Sequence, residues 1–268
     1  MTPLGPIAVH VFRESVRDRV LYNLVAFAVL MIGTSYLIGQ LTAGQDLKII
    51  KDLGLAAISI FGLFIAVFIG IQLVAKEVER RSIYSLLAKP IHRYHLVLGK
   101  YAGLVLTLAV HVSVMTASLY AVLAAMVWLD PSLAVRSVET PTLDPALLKA
   151  IWLTFIELGM VTAIALCFST FSTPMLSAAF TMGLFVAGRF SADLRNFNQA
   201  VDSAAASGLA EALYWVLPNF GPFDIRSQIV HAQPVPIGYL VTTSLYGVLY
   251  IAAVLLVATY VFSRRDFK

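Results

Sequence analysis

The sequence predicts an all-α integral membrane protein with six transmembrane helices, and three observations carry that fold class. Hydrophobic residues make up 59% of the chain and charged residues 13%, well below the roughly 25% charge of a soluble domain. The apolar residues are gathered into uncharged blocks close to or above the ~20 residues a helix needs to cross a bilayer. These blocks lack the polar stripe that a soluble bundle keeps for water. The net charge of +4 does not point to nucleic acid, because the basic residues sit beside apolar blocks, where lipid headgroups attract them. The single cysteine, Cys167, excludes an intrachain disulfide framework and a Cys-x-x-Cys centre. The first 20 residues mix acidic and basic groups, with no small-residue cleavage site after a short apolar core. The first crossing is therefore expected to remain in the mature protein.

Residues 1–19 predict an N-terminal interfacial helix. Leu4, Ile7, Ala8, Val11, Phe12 and Val16 share one face, with His10, Arg13, Glu14, Arg17 and Asp18 on the other. Residues 20–75 hold the first two crossings, about 21–38 and 53–75, joined through a short amphipathic turn over 47–52. A charged cytoplasmic loop over 76–96 follows. Residues 97–190 contain crossings three to five. The third lies within the uncharged block 101–129 and is stopped by Asp130-Pro131. The apolar block 146–188 is twice one span in length. Its hydroxylated middle ends in Pro174, which divides it into a fourth crossing, about 147–168, and a short fifth, about 174–188. An extracytoplasmic loop over 191–235 carries a predicted helix, about 197–216, ended by Leu217-Pro218-Asn219-Phe220-Gly221-Pro222. Residues 236–268 supply the sixth crossing and a basic end.

Six crossings put both termini on one side. Placing them in the cytoplasm gathers twelve of the 19 Lys and Arg residues there, clustered directly against span ends. A bacterial inner membrane with both ends cytoplasmic is the expected setting. No fixed-period repeat is visible, which argues against an inverted-repeat secondary transporter, and no selectivity ring suggests a channel.

The loop between crossings two and three is the most charged part of the chain, running Lys76-Glu77-Val78-Glu79-Arg80-Arg81-Ser82-Ile83-Tyr84-Ser85-Leu86-Leu87-Ala88-Lys89-Pro90. Ile83, Leu86 and Leu87 have the spacing of one helix face, and Pro90 ends that helix. Glu77 and Glu79 suit a helix start, while Arg80 and Arg81 offer forked donors to a partner's carboxylates. The residues alone allow two readings: a helix that grips a cytoplasmic partner, or a solvated loop with inside-positive charge.

The run from Glu77 to Arg93, followed by Leu98-Gly99-Lys100-Tyr101, resembles the signature of ABC-2 type transporter permeases, the membrane subunits of ABC transporters. The resemblance extends over the chain through Phe12-Arg13-Glu14, Leu217-Pro218-Asn219-Phe220 and Arg264-Arg265-Asp266-Phe267. It implies that residues 1–18 form the interfacial helix. It also implies that Glu77, Glu79, Arg80, Arg81, Leu86, Leu87 and Pro90 belong to the coupling helix that docks on an ATPase. Ser82 stands where many members have Gly-Thr. The chain has no Gly-x-x-x-x-Gly-Lys-Ser/Thr loop, and Gly99-Lys100 is followed by Tyr101. The resemblance therefore implies ATP and magnesium on a partner ATPase subunit, none bound by this chain, with a second permease subunit completing a homodimeric exporter.

Glu157 lies near the centre of crossing four, where a carboxylate must face protein or a wet cavity. A substrate site and a structural hydrogen bond to another crossing are both open. His111, in crossing three, is a possible partner for Glu157, and less plausibly a metal or haem ligand. Asp224-Ile225-Arg226 suggests a local ion pair. Two functions remain: the permease of an ATP-driven exporter of unknown substrate, or a non-transporting membrane scaffold in a respiratory or cofactor-maturation complex.

Overall fold

The computed structural model describes residues 4–40, 46–79, 93–129, 143–191 and 217–264. Among the described residues the regular structure is helical: α1 Leu4–Val16, α2 Arg19–Gln40, α3 Asp46–Glu79, α4 Arg93–Leu129, α5 Leu147–Ser169, α6 Pro174–Arg189, α7 Arg226–Val230 and α8 Ile237–Arg264, with a 3-10 turn at Gly221–Phe223. Five of these helices (α2, α3, α4, α5 and α8) are long and apolar enough to cross a membrane. The all-α, multi-pass class follows directly.

The expected fifth crossing, α6, is different. Its 16 residues reach about 24 Å at 1.5 Å per residue, short of the ~30 Å hydrocarbon layer. Pro174 stands in its first turn, where the missing N–H costs no hydrogen bond. The short amphipathic turn expected over 47–52 is not a separate element. Asp46–Glu79 is one continuous helix, because Lys51 is buried against the bundle rather than held in solvent.

Helices α3 and α5 form the centre. In their apolar windows 67% and 72% of residues are buried, against 22–28% in α2, α4 and α8. Helix α3 packs along α2, α4 and α5, while α8 and α4 flank α5 and α6 lies on α3 and α5. Close approach is built on glycine: a Cβ at Gly70 would stand 2.5 Å from Ala165 Cβ and 3.3 Å from the Thr162 carbonyl oxygen. Small residues at such contacts let helices associate where lipid supplies no hydrophobic drive. Hydroxyls inside the spans donate back to their own helix, as in Thr107 to Gly103 O and Thr162 to Leu158 O.

The short helix α1 has its own seat. Ile7, Ala8 and Val11, from the apolar face expected in sequence, meet α4 where Gly99 and Gly103 remove side chains. A Cβ on Gly103 would fall 2.6 Å from Ala8 O and 2.7 Å from Val11 Cβ. The face is therefore half-buried against protein, with Val11 alone fully in the core.

Candidate functional site

At the end of the bundle away from α1, a buried ion pair fixes the frame. Lys51 Nζ lies 3.9 Å from Asp144 Oδ2, with the Lys51 side chain wholly buried. Tyr120 donates from its hydroxyl to Asp144 O at 2.9 Å, and Ala146 N donates to Asp144 Oδ1 at 2.8 Å. The starts of α3 and α5 and the C-terminal part of α4 are thereby tied at one level. Lys51 was expected within a short amphipathic turn, and its pairing with Asp144 was not expected.

Deeper in the bundle, charge gathers on the face occupied by α6. Glu157, near the middle of the 23-residue α5, has a side chain 2% exposed. Arg189, the last residue of α6, brings Nη2 to 3.4 Å from Glu157 Oε1 and 3.6 Å from Asp224 Oδ2. The contact with Glu157 is one of charge, since Glu157 Oε1 has no hydrogen-bond partner among the described residues. Arg189 also donates from Nη1 to Phe220 O at 3.3 Å, and its guanidinium lies 5.6 Å from the Phe185 ring centroid. Arg226 closes on Asp224 in a fork, with Nε at 3.0 Å and Nη2 at 3.1 Å. The local Asp224–Arg226 pair expected from sequence is thus formed, and Arg189 extends it to Glu157.

Residues 217–230 reach this depth because two glycines make room for them. A Cβ on Gly188 would stand 2.5 Å from Pro218 O, and Phe220 N donates to Gly188 O at 3.2 Å. Gly247 of α8 leaves a notch against Ile156 and Phe223. Phe220, Phe223, Ile225, Ile229 and Val230 are all buried there. Tyr239 donates to Pro222 O at 2.7 Å, and Asn219 N donates to Tyr246 Oη at 2.9 Å. The segment is a wedge among α3, α5, α6 and α8.

The charged groups form a ladder from Glu157 through Arg189 and Asp224 to Arg226. Side-chain exposure of 23% at Arg189 and 30% at Asp224 and Arg226 decides what this face can border. Guanidinium groups so open are costly against hydrocarbon, and irregular backbone at membrane depth is tolerated only against protein or a wet cavity.

The expected pairing of His111 with Glu157 is not made. His111 Nδ1 lies 2.7 Å from Thr107 O in its own helix, and Arg189 takes the place beside Glu157. Among the described residues no group of three His, Cys, Asp or Glu could hold a metal ion. Of the expected coupling residues, Glu77 and Glu79 lie in the last turn of α3. Arg80, Arg81, Leu86, Leu87 and Pro90, like the expected loop helix over 197–216, lie outside the described residues. Helix α4 resumes at Arg93, so the cassette joins two of the long membrane helices.

The chain is thus a multi-pass helical bundle with a charged face where α5, α6 and residues 217–230 meet. A family model described as ABC-2 family transporter protein matches residues 6–267, and the chain belongs to that family of permeases. Among curated proteins none matches the chain.

Proposed function

We propose that this chain is the membrane subunit of an ATP-driven exporter, working as two copies with two separate ATPase subunits. Helix α6 and residues 217–230 together complete a sixth crossing, leaving both termini in the cytoplasm of a bacterial inner membrane. The observation that carries the reading is the ladder from Glu157 to Arg226. It supports a wet path on the α6 face, because those charges cannot border lipid. Exposed apolar residues of α6, such as Met175, Phe180 and Val186, give the second copy a surface beside that path.

Energy enters from the opposite end. The cassette from Glu77 to Pro90 docks on the ATPase, and movement passes into α3 and α4, which it joins. Helix α1, seated on Gly99 and Gly103, moves with the start of α4. Alternating access then amounts to opening and closing the α6 face as the ATPases close and reopen.

The test is copurification with an ATPase encoded beside this chain, followed by Glu79→Ala and Leu86→Ala. The expected result is loss of ATPase binding and of permease-dependent hydrolysis with the fold intact. Unchanged binding and turnover in both variants would overturn the coupling assignment. Binding without any permease-dependent hydrolysis would favour the scaffold reading.

A further inference from the structure

Helices α3 and α5 hold each other along most of their length. Lys51 reaches Asp144 at one end of the contact. Further along, a Cβ at Gly62 would stand 2.5 Å from Leu158 Cδ1, and one at Gly70 would stand 2.5 Å from Ala165 Cβ. From Lys51 to Gly70 the helix runs about 28 Å, close to the ~30 Å of the hydrocarbon layer. Gly62, Ala66 and Gly70 recur at every fourth residue of α3, so the backbones meet with at most a methyl group between them. Packing this close does not slide by small degrees. The contact of α5 with α6 is made differently. The buried residues of α6 are Ser177, Thr181 and Gly188, all small. Ser177 Oγ on α6 and Glu157 Oε1 on α5 are buried with no hydrogen-bond partner among the described residues. Buried polar atoms in that condition are costly, and this pair of helices carries one on each side.

We propose that α3 and α5 form one rigid body, that α6 belongs to a second, and that the seam between them parts at Glu157 and Arg189. Arg189 can release Glu157 and stay paired, because Asp224 Oδ2 at 3.6 Å and Phe220 O at 3.3 Å remain beside it. Phe220 N also donates to Gly188 O, so the first residues of the wedge travel with the end of α6. Water entering the parted seam supplies the hydrogen bond that Glu157 Oε1 lacks. Motion of this kind is a displacement of packed bodies about one weak contact. Helix α3 runs without a break to Glu77 and Glu79. A displacement of the cassette therefore reaches Glu157 through α3 and α5 with no joint between. The source of that displacement rests on the proposed coupling to an ATPase; the division into two bodies does not.

Hydrogen exchange of the full chain in lipid nanodiscs tests the division. Amides of α3 and α5 should exchange together, and those of α6 faster. Arg189→Gln should speed exchange in α6 about ten-fold, the factor of one lost charged hydrogen bond, and leave α3 and α5 unchanged. Different rates in α3 and α5, or equal acceleration of α5 and α6, would overturn the proposal. If Arg189→Gln does not fold, the rates in the unaltered chain decide. Movement is read separately, by pulsed spin resonance in the complex with the ATPase. The labels sit on Ile60→Cys of α3, Leu148→Cys of α5 and Phe190→Cys of α6, all exposed positions, in a Cys167→Ser background. Trapping nucleotide should shift the α5–α6 distance by several ångströms and leave the α3–α5 distance fixed. A changed α3–α5 distance would overturn the rigid body. Two fixed distances beside the expected exchange pattern would refute the coupling to an ATPase and leave the two bodies standing.

Discussion

Arg189 Nη2 stands 3.4 Å from Glu157 Oε1, joining the end of the short helix α6 to the middle of the central helix α5. The same guanidinium reaches Asp224 at 3.6 Å and the Phe220 carbonyl at 3.3 Å. One side chain therefore links two membrane helices and the wedge of residues 217–230.

Removing that link should expose the cost of Glu157. Arg189→Met leaves the buried carboxylate without its nearest positive charge. Breaking a buried pair costs about 3–5 kcal/mol, and the partial exposure of Arg189 puts this case near or below the lower figure. Adding Glu157→Gln should recover much of the loss, because the uncompensated charge is gone. Unfolding in detergent of the two single variants and the double variant measures this directly. A double variant less stable than Arg189→Met would refute the pairing.

The seat of α1 gives a second expectation. Gly103→Leu drives a side chain into Ala8 O and Val11. Overpacking of this kind costs about 1–3 kcal/mol. Gly183→Leu is the control, since nothing lies within 4 Å of a Cβ there. The comparison is the melting temperature of each variant, together with proteolytic release of the N-terminus. Equal behaviour of the two would mean that α1 does not rest on α4.

Much of the fold was legible because membrane helices are written in composition. The uncharged blocks gave the long helices, and Pro174 marked the start of α6. Glu157 stood out by cost alone, and Asp224 and Arg226 by proximity in sequence. The partnership with Arg189 was not legible: 32 positions separate it from Glu157, and it depends on α6 being short enough to end at that depth. A 16-residue apolar block ending in Arg189 was the available signal. The pairing of Lys51 was not legible for a related reason: its partner Asp144 arrives from another part of the chain.

The most direct test of the proposed path is whether water reaches the α6 face and whether ATP hydrolysis on a partner changes that access. Phe190, 61% exposed at the end of α6, is replaced by cysteine in a Cys167→Ser background. Its reaction with a membrane-impermeant maleimide is then followed in the assembled complex. The account predicts labelling from the extracytoplasmic side, at a rate that changes several-fold when the ATPase is trapped with nucleotide, while Leu249→Cys on α8 stays inert. An unreactive Phe190→Cys, or one rate in both nucleotide states, would contradict it.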